Sequence, residues 1–387
     1  MIENRVDLLD EMMADMELAS ALYRPGNYWQ PYVSRLYDDL RTADLNMFRS
    51  GHFGPQTKGA YSSFRGGSPH NVYFGERFYP FDEKYEKIDS SLPVRLMNRI
   101  FDILSTVWQP LGAFSPKRVS LGKRYYLDAH RRVEALMFQV AEMLDCDNTL
   151  DRVEDSPEGN PVLFTHGGKY YSDLFIDMFL EYLYMKQYVD FSNISRVLEI
   201  GSGFGMLPAI LLGAHPHLKL LLVDIPPPLY VTQQYLDSLF PGQVLKYSEA
   251  KKLDSIDGRV LDEHSIVCLA PWDIERLANE SCDLFCNIGS FQEMEPNIVL
   301  NYLTHMRRCT TTWSYINNAL HGHVRAAGPG TFGVLEQTNR DHYLQAFSEQ
   351  WDLVDERAAR VLGPSKSDNP RWQMMFRRRV TTIGRAE

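Results

Sequence analysis

Apolar residues recur with two different periods along the 387-residue chain. Over the first part the helical period dominates. Ile2, Val6, Leu9, Met13 and Met16 share one face of a predicted amphipathic surface helix near the N-terminus. Leu96, Met97, Ile100, Phe101, Leu104, Val107 and Trp108 do the same across Leu92–Trp108, with Pro93 near the helix start. A third helical pattern runs from about Tyr126 to Leu144. Between the early helices, Gly51–Tyr85 is rich in Gly, Pro, Ser and aromatic residues, a composition suited to an ordered loop or lid.

The pattern changes at the charged, turn-rich stretch Asp151–Asn160. A helical segment, Leu174–Val189, is followed by short β-branched runs that alternate with helical ones. Strands are predicted at Arg196–Ile200, Leu220–Asp224, Ser265–Leu269, Asp283–Ile288 and Thr311–Asn317, with two later ones at Asp352–Glu356 and Gln373–Arg378. Alternation of this kind implies a mostly parallel, doubly wound α/β sheet of seven strands, covered by helices on both faces. Two regions are therefore expected. Residues 1–155 form a mainly helical region for lid, substrate-binding or oligomerisation duty, and residues 156–387 form the Rossmann-like domain.

The first predicted strand of that domain runs into Gly201, Ser202, Gly203, Phe204 and Gly205, and a helical pattern follows. Glycines at such a turn permit positive φ and let backbone N–H groups approach a ligand. The second strand ends in Asp224, where an acidic group can grip a ribose diol. A dinucleotide turn would place a third small residue where this chain has Met206; the spacing is GxGxG. Glu199, two residues before the first glycine, would repel a pyrophosphate and suits a ligand carrying ammonium and sulfonium charge. A tight turn without ligand is the plainer alternative, but it leaves the two acids unexplained.

At these residues the chain resembles the class I S-adenosylmethionine-dependent methyltransferases. More narrowly, it is similar to the sugar O-methyltransferases of antibiotic and other natural-product pathways. Three segments carry that likeness: VLEIGSGFG at Val197–Gly205, VDIPPPLYVTQQYL at Val223–Leu236, and DLFCNIGSFQEM at Asp283–Met294. GNPVLFTHGGKYYSDL, from Gly159 to Leu174, belongs with them.

The resemblance implies S-adenosyl-L-methionine as cofactor and a seven-stranded methyltransferase domain. Gly201, Ser202, Gly203 and Gly205 would hold the methionine end, with Glu199 orienting it. Asp224 would accept from both ribose hydroxyls, and Ile225 would pack near the adenine. Trp272 and Asp273, after the third strand, are adenine-side candidates, although Trp272 reads equally as a packing residue. Asn287, at the end of the fourth strand, would face the methyl group.

Methyl transfer to a hydroxyl needs alignment and a proton acceptor. Glu293 is the first candidate base; it also has capping-box spacing from Ser290, and the two roles are compatible. His321 and His323 follow the fifth strand, and His166 precedes the domain; histidine as a residue type suits a general base, and surface solvation is the alternative for all three. No carboxylate cluster accompanies the His-x-His pair, so no metal is expected. Lys117, Arg118, Lys123, Arg124, Arg131 and Arg132 form a basic stretch that suits either a substrate diphosphate or a solvated face.

Charge and composition narrow the partners. Forty Lys and Arg against 50 Asp and Glu give a net charge of −10, which disfavours nucleic acid as acceptor. The best apolar run, Leu207–Val223, is interrupted by His215, Pro216, His217 and Lys219, so no membrane span is expected. The N-terminus has neither the basic start nor the unbroken apolar stretch of a secretory leader. Five cysteines without a CxxC pair fit reduced, structural thiols. The expected protein is a cytoplasmic enzyme acting on a small molecule, with room for a homo-oligomer. Its rivals are an O-methyltransferase for a phenol or polyketide enol, and a cofactor-binding protein without catalysis.

Overall fold

The computed structural model describes residues 1–49, 78–80, 137–161, 163–359 and 369–379. The predicted helix Leu92–Trp108, the basic stretch from Lys117 to Arg132 and most of the loop Gly51–Tyr85 lie outside these residues. So does the first part of the predicted helix Tyr126–Leu144, of which residues 137–144 are helical.

Three short strands, β1 (Phe78–Pro80), β2 (Leu163–His166) and β3 (Lys169–Tyr171), form a small sheet. The main sheet comprises β4 (Arg196–Ile200), β5 (Lys219–Val223), β6 (Val244–Leu245), β7 (Ile266–Leu269), β8 (Cys282–Ile288), β9 (Thr310–Ala319), β10 (Trp351–Ala358) and β11 (Arg371–Arg378). Its strand order is β10-β11-β9-β8-β4-β5-β7-β6. Strands β4 to β9 pair in parallel, whereas β11 runs antiparallel to both β9 and β10. The doubly wound α/β sheet is thus present with all seven expected strands. An eighth, β6, escaped prediction because two residues carry no readable period.

The central strands have no polar face. Val197, Leu198 and Ile200 of β4, Leu220–Val223 of β5 and all of β7 are buried. Helices α3 (Asp173–Lys186) and α4 (Met206–Ala214) pack against one another on the core, as apolar strands with two covered faces require. The chain leaves β4 toward β5 and β7, then returns to the other side of β4 as β8. Their carboxyl ends therefore frame the crevice where open α/β sheets bind ligands.

The N-terminus joins this domain instead of standing apart. Helix α1 (Val6–Leu18) packs on α5 (Pro226–Leu239), and α2 (Gln30–Thr42) does so too. Pro226, Pro227 and Pro228 occupy the first turn of α5, where an N–H would have no helical partner. Every residue of α5 from Pro226 to Leu236 is buried, polar ones included. Gln234 donates to Glu3 O at 2.6 Å, and Tyr230 Oη donates to Asn4 Oδ1 at 2.6 Å. The predicted surface helix is therefore a core helix. It buries Leu9, Met12 and Met16; Val6 and Met13 are only partly covered, and Ile2 is buried outside the helix.

Arg49 and Asp155 form a buried ion pair between the segment after α2 and the stretch before β2. Both side chains are fully buried; Arg49 Nη1 and Nη2 meet the two carboxylate oxygens at 2.9 and 2.6 Å. Ser172 adds a hydroxyl donor to Asp155, so the carboxylate is fully dressed. Four of the five cysteines are buried, and burial raises their thiol pKa values, as expected of structural residues. Cys146 is exposed. Among the described residues no helix is long and apolar enough to cross a membrane.

Candidate active site

Strand β4 delivers Glu199 and then breaks into the glycine turn. Gly201, Gly203 and Gly205 all have positive φ, at 79°, 60° and 97°. At Gly201 the need for glycine is also steric, because a Cβ would lie 2.1 Å from Ser290 Oγ. Ser290 Oγ in turn donates to Ile200 O at 3.2 Å. The loop after β8 is thereby sewn to the end of β4.

Asp224 lies just past β5, facing the same turn. Its Oδ2 accepts from the Gly203 N–H at 2.9 Å and its Oδ1 from the Ile225 N–H at 2.8 Å. Thr232, in the second turn of α5, fixes the turn from the other side by donating to Gly203 O at 2.6 Å. Burial pushes the Asp224 carboxyl up to about 7 despite those two donors.

Glu199 is buried, and one of its carboxylate oxygens, Oε2, has no hydrogen-bond partner. Ser202 Oγ, in the turn itself, is buried and partnerless as well. Burial first, and the charge of Asp224 second, push Glu199 up to about 8. Glu293 is also pushed up to about 8, mainly by burial and further by Asp224, while a bond from Trp29 opposes the shift. Three carboxyl groups thus lie within electrostatic reach of one turn. None of them pairs with a Lys or Arg among the described residues. A buried, unpaired acid is costly unless a ligand supplies the missing charge or donor.

Glu293 closes a short 3₁₀ turn, Phe291–Glu293. The expected capping box is not formed: Ser290 makes no side-chain cap, and the Glu293 N–H bonds Ser290 O at 3.0 Å. Ser290 Oγ is already committed to Asn287 and Ile200, which leaves the Glu293 carboxylate free to point elsewhere. It accepts from Trp29 Nε1 at 2.9 Å through Oε2.

Other candidate residues have hydrogen bonds or packing within the protein. Asn287 ties the two strand ends together and does not present a free amide to the crevice. Its Nδ2 donates to Ile200 O at 2.8 Å and Ser290 Oγ at 2.6 Å, and its Oδ1 accepts from Asn318 and the Phe291 N–H. Asp273 is spent on its own turn, accepting from the Ala270 N–H at 3.0 Å and pairing with Arg276 at 2.7 Å. Trp272 packs beside Ile225 with Met13, Met16 and Val33 of the N-terminal helices. It borders an open cleft of about 570 Å³ lined also by Asp15, Tyr247, Lys251 and Arg276.

The histidines separate. His323 meets Tyr28 edge-on at 4.5 Å, its backbone N–H donates to Gln292 O, next to Glu293, and burial lowers its side-chain pKa. His321 is exposed, with its backbone N–H held by Asn369 Oδ1. His166 sits in the β2–β3 hairpin, outside the main sheet, against Glu142 and Phe138.

Sequence reasoning passed over Trp29, Tyr28 and Thr232, and read Ser290 only as a candidate cap. The first two come from a segment with no regular period, and nothing local ties them to a residue 264 positions away. Thr232 lies inside the PPPLYVTQQYL segment, which did signal the region but not the contact.

No protein-family model matches the chain, and no curated protein matches it by sequence. Solved structures do show likeness over about half of it. Mitomycin 7-O-methyltransferase MmcR is 16% identical with a TM-score of 0.33, over 49% of this chain and 51% of that one. Magnesium protoporphyrin IX methyltransferase (ChlM) from Synechocystis PCC 6803 with bound SAM is 10% identical, TM-score 0.34, over 52% and 77%. The StiE O-MT is 15% identical, TM-score 0.35, over 52% and 74%. The matched region thus spans about half the length of the first. Likeness at this level is a general one, and the functional reading rests on the site.

Proposed function

We propose that the chain is an S-adenosylmethionine-dependent O-methyltransferase whose acceptor is a sugar hydroxyl, free, nucleotide-linked or carried on a natural product. The observation that carries the reading is the glycine turn at the β4–β8 crevice, flanked by Glu199, Asp224 and Glu293, none of which pairs with a Lys or Arg among the described residues. The fit of the cofactor is tested by the orphaned atoms. Glu199 Oε2 and Ser202 Oγ are buried polar atoms without partners at the turn, and they match a ligand end bearing an ammonium group. Asp224 suits the ribose hydroxyls, with Ile225 as an apolar neighbour for the base.

S-adenosylmethionine, when bound, supplies a methyl group activated by a sulfonium. The protein's part is alignment and proton handling, and alignment is worth roughly 7–11 kcal/mol. Glu293 would take the acceptor's proton at Oε1 while Trp29 holds Oε2. Base catalysis of this kind contributes about 10²–10⁴-fold. In this reading the N-terminal segment closes the acceptor side and keeps water from the reacting oxygen.

The test is release of S-adenosylhomocysteine from S-adenosylmethionine with methyl glycosides and nucleotide sugars in one arm and phenols in the other. Release with the sugars supports the reading. Release with phenols alone moves the acceptor to the phenol class, and release with neither contradicts the assignment.

A further inference from the structure

The loop after β9 carries an aromatic ring that the protein's own packing leaves out. Phe332 is 55% exposed. Yet its backbone is not loose: Asn27 Nδ2 donates to Thr331 O at 2.9 Å and to Gly333 O at 2.8 Å, and Asn27 Oδ1 accepts from the Gly330 N–H at 2.7 Å. Asn27 itself is buried. Gly333 has φ of 114°, and a Cβ there would lie 2.4 Å from Val324 O, so the turn is fixed on its far side too. A pinned loop that holds out a large apolar ring forgoes part of the stabilisation its burial would give.

The ring does not stand alone. Phe332 meets Tyr28 at 5.7 Å and His323 edge-on at 5.4 Å, and Tyr28 meets Trp29 edge-on at 5.8 Å. Trp29 bonds Glu293, and the charge of Glu293 helps suppress ionisation of Tyr28. A continuous aromatic wall therefore leads from the exposed Phe332 to the carboxylate, built by two segments far apart in sequence.

We propose that Tyr28, His323 and Phe332 form the acceptor-binding wall, taking a hydroxylated ring whose apolar face lies on Phe332 while one hydroxyl reaches Glu293. The inference rests on the methyltransferase reading and adds the residues that hold the acceptor ring. An aromatic wall accepts either the C–H face of a pyranose or the π face of a phenol. The shared chemistry is a flat ring with an apolar face and a hydroxyl at its edge. The His323 ring, whose pKa burial lowers, adds aromatic area to that surface.

The experiment is saturation-transfer NMR on the full chain with S-adenosylhomocysteine present, using methyl β-D-glucopyranoside and p-cresol as separate probes. Calorimetry first establishes that S-adenosylhomocysteine binds. Saturation of the ring protons of either probe, reduced at least about fivefold in Phe332→Ala and Tyr28→Leu, is the expected result. The responding probe then identifies the ring class. Because Phe332 is mostly exposed, Phe332→Ala keeps the fold, and unchanged S-adenosylhomocysteine affinity confirms that the cofactor side is intact. If neither probe binds, or binding is indifferent to Phe332→Ala, the wall is not the acceptor site while the cofactor reading stands. Failure of S-adenosylhomocysteine to bind overturns both.

Discussion

Trp29 Nε1 donates to Glu293 Oε2 at 2.9 Å, joining a segment of the N-terminal region to the loop that follows β8. The bond favours the ionised carboxylate and so opposes the burial that raises it. Trp29→Phe should therefore move the ionisation of Glu293 further up. With any acceptor that turns over, the limb of kcat/KM that rises with pH should shift to higher pH in Trp29→Phe. Steady-state profiles between about pH 6 and 9 check this, and an unmoved limb separates Trp29 from the base.

Glu293→Gln should leave S-adenosylhomocysteine affinity within about twofold and lower turnover by at least about tenfold. A fully active variant would remove Glu293 from proton transfer. Since Ser290 does not cap that turn, no helix-capping role remains to explain a loss.

Stability of the ligand-free protein should fall as pH rises from about 5 to about 8. Glu199 and Glu293 titrate near 8 and Asp224 near 7 in the folded chain, all above the ordinary carboxyl range. Over that window the native state holds more protons than the unfolded one, so raising pH favours unfolding. Thermal melts of Glu199→Gln should show a flatter dependence than those of the unsubstituted chain. An equal slope would mean that Glu199 does not titrate there.

Arg49→Met should cost about 3–5 kcal/mol in urea denaturation, because it leaves the fully buried Asp155 without its cation. Replacing both partners, Arg49→Met with Asp155→Leu, should recover much of that loss. Comparable losses in the single and double variants would show that packing of Arg49 against Phe204 and Tyr235 outweighs the ion pair.

The parts legible in the sequence are those carried by short-range pattern. Strand β4, the glycine turn and Asp224 sit within one strand–turn–helix–strand unit, where apolar runs and positive-φ glycines leave a local trace. Glu293 was legible as an acid beyond a strand, but Ser290's preference for Asn287 and Ile200 over the cap was not, since it depends on which strands are neighbours. The partners of Asn287 were not legible for the same reason: the switch between β4 and β8 gives its amide four partners inside the protein. The aromatic wall is built by tertiary contacts between Tyr28 and residues almost 300 positions away, and no periodicity records those. The N-terminal helix was readable as amphipathic, while its burial required knowing that α5 offers it a partner.

Calorimetric titration with S-adenosylhomocysteine, comparing the natural sequence with Asp224→Ala, tests the central assignment most directly. One site per chain, weakened at least about tenfold by Asp224→Ala, is the predicted result. Absence of binding to the natural sequence, or equal affinity in the variant, would contradict it.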